Sequence, residues 1–320
     1  PDFSAEVCLG AGLDDLEKRA IERFRAKWIE KTKRTDLSEL SVERLLEDAE
    51  LIVDQGVTYA ALILLGTHRA LGKHLAQAEV VFEYRSDEAS IAYQQRNEYR
   101  EGFLLFDDEL WQAINLRNDR FSFQDGLFRR QIPAFNEEAV REAVLNAISH
   151  RDYRLAGSTF VKQLPSRIQI DSPGGFPVGV TPENILERQS PRNRRLADAL
   201  ARCGLVERSG QGADRMFSWA VREGKPPPDF SRSDGYQVSV VLSGQVQDER
   251  FLGFLERLGG ESQRGLSLDD LIVLDSVHRD SPIPARAQAR IPALLEMGAL
   301  ERVARNKLLL SRRFYALVGS

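Results

Sequence analysis

The chain has 320 residues, enough for two or three domains with sizeable cores. With 42% apolar and 29% charged residues it has the balance of an ordinary globular protein, and a formal net charge of -4 excludes a molecule-wide basic field, so any DNA contact must come from a local patch. Two cysteines, Cys8 and Cys203, exclude a disulfide framework, sit in no metal-ligand spacing and fit a reducing, cytoplasmic setting. The longest apolar run, 59–65, is too short to span a bilayer, and the opening PDFSAEV has no basic region followed by an apolar one, so no membrane partner is expected. The missing initial Met suggests a trimmed chain or a domain cut from a longer protein.

In chain order, 13–29 (LDDLEKRAIERFRAKWI) predicts a helix, with Leu16, Ala20, Ile21 and Phe24 on one face and Asp14 and Asp15 at its positive end. A second helix is expected from Ser41, a capping residue, to about Asp48. The run 58–65 (TYAALILL) must be buried whichever way it folds, and 79–85 (EVVFEYR) reads as a strand. Residues 103–116 return to helical spacing, with Leu104, Trp111 and Ile114 as core candidates, and Pro133 punctuates the chain before the next helix.

That helix, 138–153 (EAVREAVLNAISHRDY), carries an apolar stripe at Val140, Val144, Ala147 and Ile148. Glu142, Asn146 and His150, four apart, line up on another side. A carboxylate and an amide one turn apart suit metal and phosphate chemistry, and equally suit a solvated helix face. Two strands follow at 158–164 and 167–171, then a glycine- and proline-rich loop at 172–179 (SPGGFPVG). A helix is expected at 190–203, with Ser190 as cap, Pro191 at its first position and Gly204 just past its end. A second glycine loop, 209–212 (SGQG), opens a helix at 213–223, and 236–242 (YQVSVVL) alternates as a strand. From about Asp248 the organisation changes: helices at 249–258, 267–278 and 285–297, the last interrupted by Pro292, precede a hairpin-like pair, RVARNKLLL and RRFYAL. Three helices and a two-stranded wing are the layout of a winged helix-turn-helix.

Several motifs fail on spacing. GTHRALGKH at 66–74 has one residue too many for a phosphate-binding loop and His74 where Ser or Thr should stand. HRD at 150–152 lacks the kinase Asn, with Gly157 in its place. The glycines around Gly10 and Gly12 lack the third member of a dinucleotide fingerprint, and His68, His74, His150 and His278 have no zinc spacing.

The order REAVLNAISHRDY, two strands, the PGG loop, RNRRLADALARCGLVERSGQG, a helix and an edge strand resembles a family of bacterial proteins described as RecG-related helicases or Schlafen/AlbA-type transcriptional regulators. YAALILLG and EVVFEYR resemble its upstream segment, and LSLDDLIVLDSVHRD with LLEMGALERVARNKLLLSRRFYAL resembles its terminal winged helix. No motor motif of a helicase is present, and the family's Schlafen/AlbA-type N-terminal domain is not seen in the chain. The resemblance implies a GHKL-like central domain, the ATP-binding fold shared by gyrase, Hsp90, histidine kinases and MutL. On that basis Asn146 would be the magnesium ligand and Glu142 the base for a water. Ser172 stands where such domains carry an adenine-reading Asp; Gly174 and Gly175 belong to the same loop, where Phe176 replaces a second glycine. Gly210 and Gly212 match the second glycine box, with backbone N–H groups facing phosphates. Arg192, Asn193, Arg194 and Arg195 fall in the lid region, as phosphate contacts or as a solvated run.

The expected fold is α+β: a helical or mixed N-terminal part at 1–135, a GHKL-like two-layer sandwich at 136–244 and a winged helix at 248–320. ATP and magnesium are the expected cofactors, with binding favoured over hydrolysis. DNA is the expected partner, through Arg286 and Arg290 on the third terminal helix and Arg302, Arg305, Lys307, Arg312 and Arg313 around the wing. The leading reading is a cytoplasmic DNA-binding regulator. A magnesium-dependent ATPase in DNA metabolism and a scaffold that has lost its nucleotide stay open, as does a homo-oligomer.

Overall fold

A computed structural model describes residues 2–54, 56–89, 91–125, 128–182, 184–188, 190–206, 212–261, 265–304 and 307–315. The chain is α+β, as expected, and divides into two compact units, one of Pro1–Asn118, Val140–Ala213 and Asp229–Val241, the other of Asp119–Ala139, Asp214–Pro228 and Leu242–Ser320. Among the described residues no helix is long and apolar enough to cross a membrane.

The first unit opens with α1 (Lys18–Thr32) and α2 (Val42–Asp48). α1 begins five residues later than its apolar spacing predicts. Leu13–Asp15 forms a 3-10 turn, and the Glu17 N–H goes to the Leu65 carbonyl at 2.7 Å, which holds the chain extended there. α2 starts where its cap predicts: the Ser41 hydroxyl accepts from the Arg44 N–H at 3.2 Å. A small hairpin, β1 (Ile52–Val53) and β2 (Gly56–Val57), leads into α3 (Tyr59–Leu65). Every residue of α3 from Ala60 to Leu65 is buried, as a helix apolar on all sides must be, and α1 and the later helices Phe103–Asn115 and Arg194–Arg202 pack around it. α4 (His68–His74), β3 (Val80–Tyr84), β4 (Gln95–Tyr99) and α5 (Phe103–Asn115) follow. Leu104 and Ile114 of α5 are buried as expected, and Trp111 is half-buried.

Next come a hairpin, β5 (Arg120–Asp125) and β6 (Phe128–Pro133), the helix α6 (Glu137–His150), and the strands β7 (Thr159–Gln163) and β8 (Arg167–Pro173). α7 (Arg194–Arg202), α8 (Gly212–Arg222) and β9 (Gln237–Ser243) complete the central segment. One five-stranded mixed sheet runs in the order β4-β3-β7-β8-β9, with β3 parallel to β7 and β7 antiparallel to β8. Its alternation sorts the side chains. Val161, Gln163, Ile168, Ile170 and Ser172 are buried on one face, where the Gln163 amide donates to the Ile114 and Arg117 carbonyls at the end of α5. Lys162, Gln169 and Asp171 share the other face.

α7 starts at Arg194, not at Ser190. Asn193 is 1% exposed because its amide donates to the Ser149 and Arg151 carbonyls, at 2.9 and 2.7 Å, and so covers open carbonyls at the end of α6. Gly204 takes a φ of 69° just past α7, as its position predicts.

The terminal segment of the second unit holds α9 (Glu249–Glu261) and α10 (Leu268–His278), the latter with a reciprocal cap between Ser267 and Asp270. The third expected helix is broken in two: Ala285–Arg290 is a 3-10 turn, and α11 (Ile291–Glu296) begins with Pro292 in its first turn, where a missing N–H costs nothing. The hairpin pairs β10 (Leu300–Ala304) with β11 (Lys307–Leu310), both from RVARNKLLL and its preceding residues. RRFYAL, expected as the second strand, instead starts a short helix, α12 (Arg312–Tyr315), at whose start Glu301 accepts the Arg312 N–H at 3.2 Å and the Ser311 hydroxyl at 2.7 Å.

Candidate functional site

The polar stripe of α6 is in place and meets the second glycine loop. Glu142 is 4% exposed and Asn146 half-buried, one turn apart. Gly212, the first residue of α8, lies directly against both: a Cβ there would run into the Glu142 Oε1, would stand 2.9 Å from its Cδ, and would be 3.3 Å from the Asn146 Nδ2. An amide, a carboxylate and the N-terminal turn of an 11-residue helix therefore come together from segments about 70 residues apart. Gly210 lies outside the described residues.

The helix N-terminus suits phosphate oxygens, and the amide of Asn146 next to it suits magnesium, which keeps most of its waters and takes one or two protein ligands. Asn146 would hold the ion. When bound, the ion would supply positive charge that offsets the charge of the phosphates. Among the described residues no group of three or more His, Cys, Asp and Glu could hold a metal by itself.

Ser172 is turned into the core. It is 5% exposed, and its hydroxyl donates to the Ala147 carbonyl of α6 at 2.8 Å, tying strand to helix. Its neighbour Asp171 lies on the opposite face of the sheet, by strand alternation. There it receives Lys162 at 2.8 Å, Ser239 at 2.6 Å and the Gln169 amide at 2.9 Å. Burial pushes this carboxyl up, but the hydrogen bonds from Lys162, Ser239 and Gln169 outweigh it and hold it below the usual aspartate range.

Gly174 and Gly175 line a cavity of about 440 Å³, together with Asp152, Phe176, Arg192 and the loop 233–235 among others. Glu142, Asn146, Ser172 and Gly212 are not on its wall. The two glycine loops thus serve different places: Gly212 faces the carboxylate and amide of α6, and Gly174 and Gly175 face the cavity. Gly174 must be glycine twice over. Its φ is 98°, and a Cβ would run into the Arg192 guanidinium while standing 2.7 Å from the Asp152 Cβ.

Of the run 192–195, Arg194 is exposed and the other three are turned inward or paired. Arg192 donates to the Gly175 carbonyl at 2.6 Å, Asn193 covers the end of α6, and Arg195 reaches Glu50 at 2.6 Å. His150, the last member of the α6 stripe, has its pKa pushed down to about 4 by burial and by the nearby Arg192 charge, so it is neutral at pH 7. The pattern R-N-R-R signalled charge but not direction, so the inward roles of Arg192 and Asn193 were not readable from it.

At the terminal segment, the expected DNA-contacting residues separate into two sets. Arg286 pairs with Asp269 at 2.9 Å and Asp214 at 3.5 Å, and Arg290 pairs with Asp270 at 2.7 Å. Their charge is locally balanced. Arg302 on β10, Lys307 on β11, and Arg312 and Arg313 on α12 are exposed, while Arg305 lies outside the described residues.

Residues 159–242 match the family described as putative ATP-dependent DNA helicase recG C-terminal, a match that begins after α6 and so excludes Glu142 and Asn146. Residues 1–81 match a domain of unknown function, DUF8451. The crystal structure of the DIP2311 protein from Corynebacterium diphtheriae is similar over the whole chain, with a TM-score of 0.78 and 25% identity. The chain spans 66% of that protein's chain. No curated protein matches it.

Proposed function

We propose that the chain is a nucleotide-responsive DNA-binding regulator, in which a GHKL-like module over about 136–244 binds ATP with magnesium and a winged helix over 248–320 contacts DNA. The observation that carries the nucleotide half is the meeting of Gly212 with Glu142 and Asn146. The likeness of 159–242 to the RecG C-terminal family supports the same reading. Phosphates would lie against the start of α8, with the metal on Asn146. Binding is favoured over turnover because Glu142, the expected base, is buried against the Gly212 backbone with little room for a water. Asp214, two residues after Gly212 in α8, pairs with Arg286, which offers a route from a ligand at the glycine to the terminal segment.

Calorimetric titration of ATP with magnesium tests the first half. The wild type should bind, and Asn146→Ala should bind about tenfold more weakly, the equivalent of ~1.4 kcal/mol. No binding by the wild type would sink the nucleotide reading. Steady phosphate release abolished by Glu142→Gln would instead establish a magnesium-dependent ATPase.

For the DNA half, the exposed basic residues of the hairpin should matter more than Arg286, which is half-buried against Asp269 and Asp214. Arg302→Ala and Lys307→Ala are each expected to weaken duplex binding whatever the sequence, and to lower the slope of log affinity against log salt by about one. Arg286→Ala should do less. Unchanged affinity in both hairpin variants would leave a protein-interaction role for this segment.

A further inference from the structure

We propose that the cavity beside the first glycine loop is a second ligand site, taking a small primary amine: one ammonium group on an apolar body. The cavity, about 440 Å³, falls in the range of roughly 300–1,000 Å³ usual for small-molecule sites. Leu155, Phe176, Val180 and Pro182 give it apolar surface for the body, and an aromatic ring such as that of Phe176 attracts a cation.

The charges on the wall leave one carboxylate over. Arg192 and Asp152 balance each other: the guanidinium donates to the Gly175 carbonyl at 2.6 Å and lies 3.8 Å from the Asp152 Oδ2. Asp152 is also gripped on both oxygens by Arg154, at 2.9 and 2.8 Å. Asp234 has no cation beside it. Its Oδ1 accepts the Tyr236 and Gln237 N–H groups, at 2.7 and 2.9 Å, and among the described residues no group donates to its Oδ2. The same loop adds two acceptors. A Cβ on Gly175 would stand 2.8 Å from the carbonyl oxygens of both Asp234 and Gly235, so these oxygens face the first glycine loop, and among the described residues no N–H or O–H meets either. The loop is fixed before any ligand arrives: the Asp234 N–H goes to the Gln237 carbonyl at 2.9 Å, the Gly174 N–H to the Tyr236 carbonyl at 2.7 Å, and the Ser233 hydroxyl to the Ser239 carbonyl at 3.1 Å. One open carboxylate oxygen and two open carbonyls select a donor with positive charge, and an ammonium group has three donors and no acceptor. Because Glu142, Asn146 and Gly212 are not on the wall, the site is independent of the nucleotide reading.

Calorimetry on the full chain with phenethylamine, and with phenethyl alcohol as its uncharged counterpart, tests this. The wild type should bind the amine at millimolar concentration, and the alcohol about tenfold more weakly or not at all. Asp234→Asn should weaken amine binding about tenfold; asparagine keeps the side-chain oxygen that holds the turn, so this variant removes the charge and leaves the loop folded. Leu155→Trp should weaken it as well by filling the space, and since Leu155 is 40% exposed the core stays intact. Asn146→Ala should bind the amine as the wild type does. The proposal is overturned if the amine does not bind the wild type at millimolar concentration, if the alcohol binds as tightly, or if Asp234→Asn or Leu155→Trp keeps the wild-type affinity. It is overturned too if Asn146→Ala abolishes binding, which would put the amine beside Glu142 at the second glycine loop.

Discussion

Gly212→Val is expected to weaken ATP binding about a hundredfold, with a smaller loss for Gly212→Ala. The change is not a backbone effect, because Gly212 is the first residue of a helix and is not among the glycines with positive φ. The effect comes from space. The added Cβ would enter the volume of the Glu142 carboxylate and press on the Asn146 amide, both held by a helix whose other face is packed. Overpacking of this kind costs roughly 1–3 kcal/mol, and every ~1.4 kcal/mol is a factor of ten in affinity. Calorimetric titration beside a thermal melt separates loss of the site from loss of the fold. A Gly212→Val protein that melts normally and binds ATP like the wild type would show that no phosphate lies at the start of α8.

Asp171→Ala is expected to destabilise the fold by about 2–3 kcal/mol at pH 7, because it strips Lys162, Ser239 and Gln169 of their common acceptor. The same carboxylate predicts a pH dependence. Its pKa in the folded chain is lowered, burial being outweighed by the three donors, so as the pH falls the unfolded chain takes up the proton first. Its stabilisation is therefore complete above the ordinary aspartate value of about 3.9 and is lost as the pH drops through the lower folded value. Urea unfolding at pH 7 and pH 3 should show a difference between wild type and Asp171→Ala that shrinks in acid. A constant difference would mean that the charge is not what the three partners hold.

Much of the architecture follows from local chemistry. The apolar stripe of α6, the cap at Ser41, and Gly204 beyond α7 lie where residue type and spacing put them, because a 3.6-residue period and a terminal hydroxyl act over one turn. β4 was not legible: QRNEY has no apolar alternation, since an edge strand is kept polar and charged to avoid further pairing. The terminal hairpin was misplaced by several residues because β10 and β11 are consecutive and short, and RRFY forms the short helix α12 instead of a strand.

The candidate site divides in the same way. That Glu142 and Asn146 share a face is a consequence of helical spacing and needs no fold. That Gly212 sits on them, that Ser172 turns to the Ala147 carbonyl while Asp171 turns to Lys162, and that Arg286 and Arg290 are already paired with acids are outcomes of packing between distant segments. The alternation of a strand says that neighbours face opposite ways, but only the helix laid across one face decides which neighbour is inside. For this chain that choice gives Ser172 to the core and leaves the first glycine loop to Arg192 and its cavity.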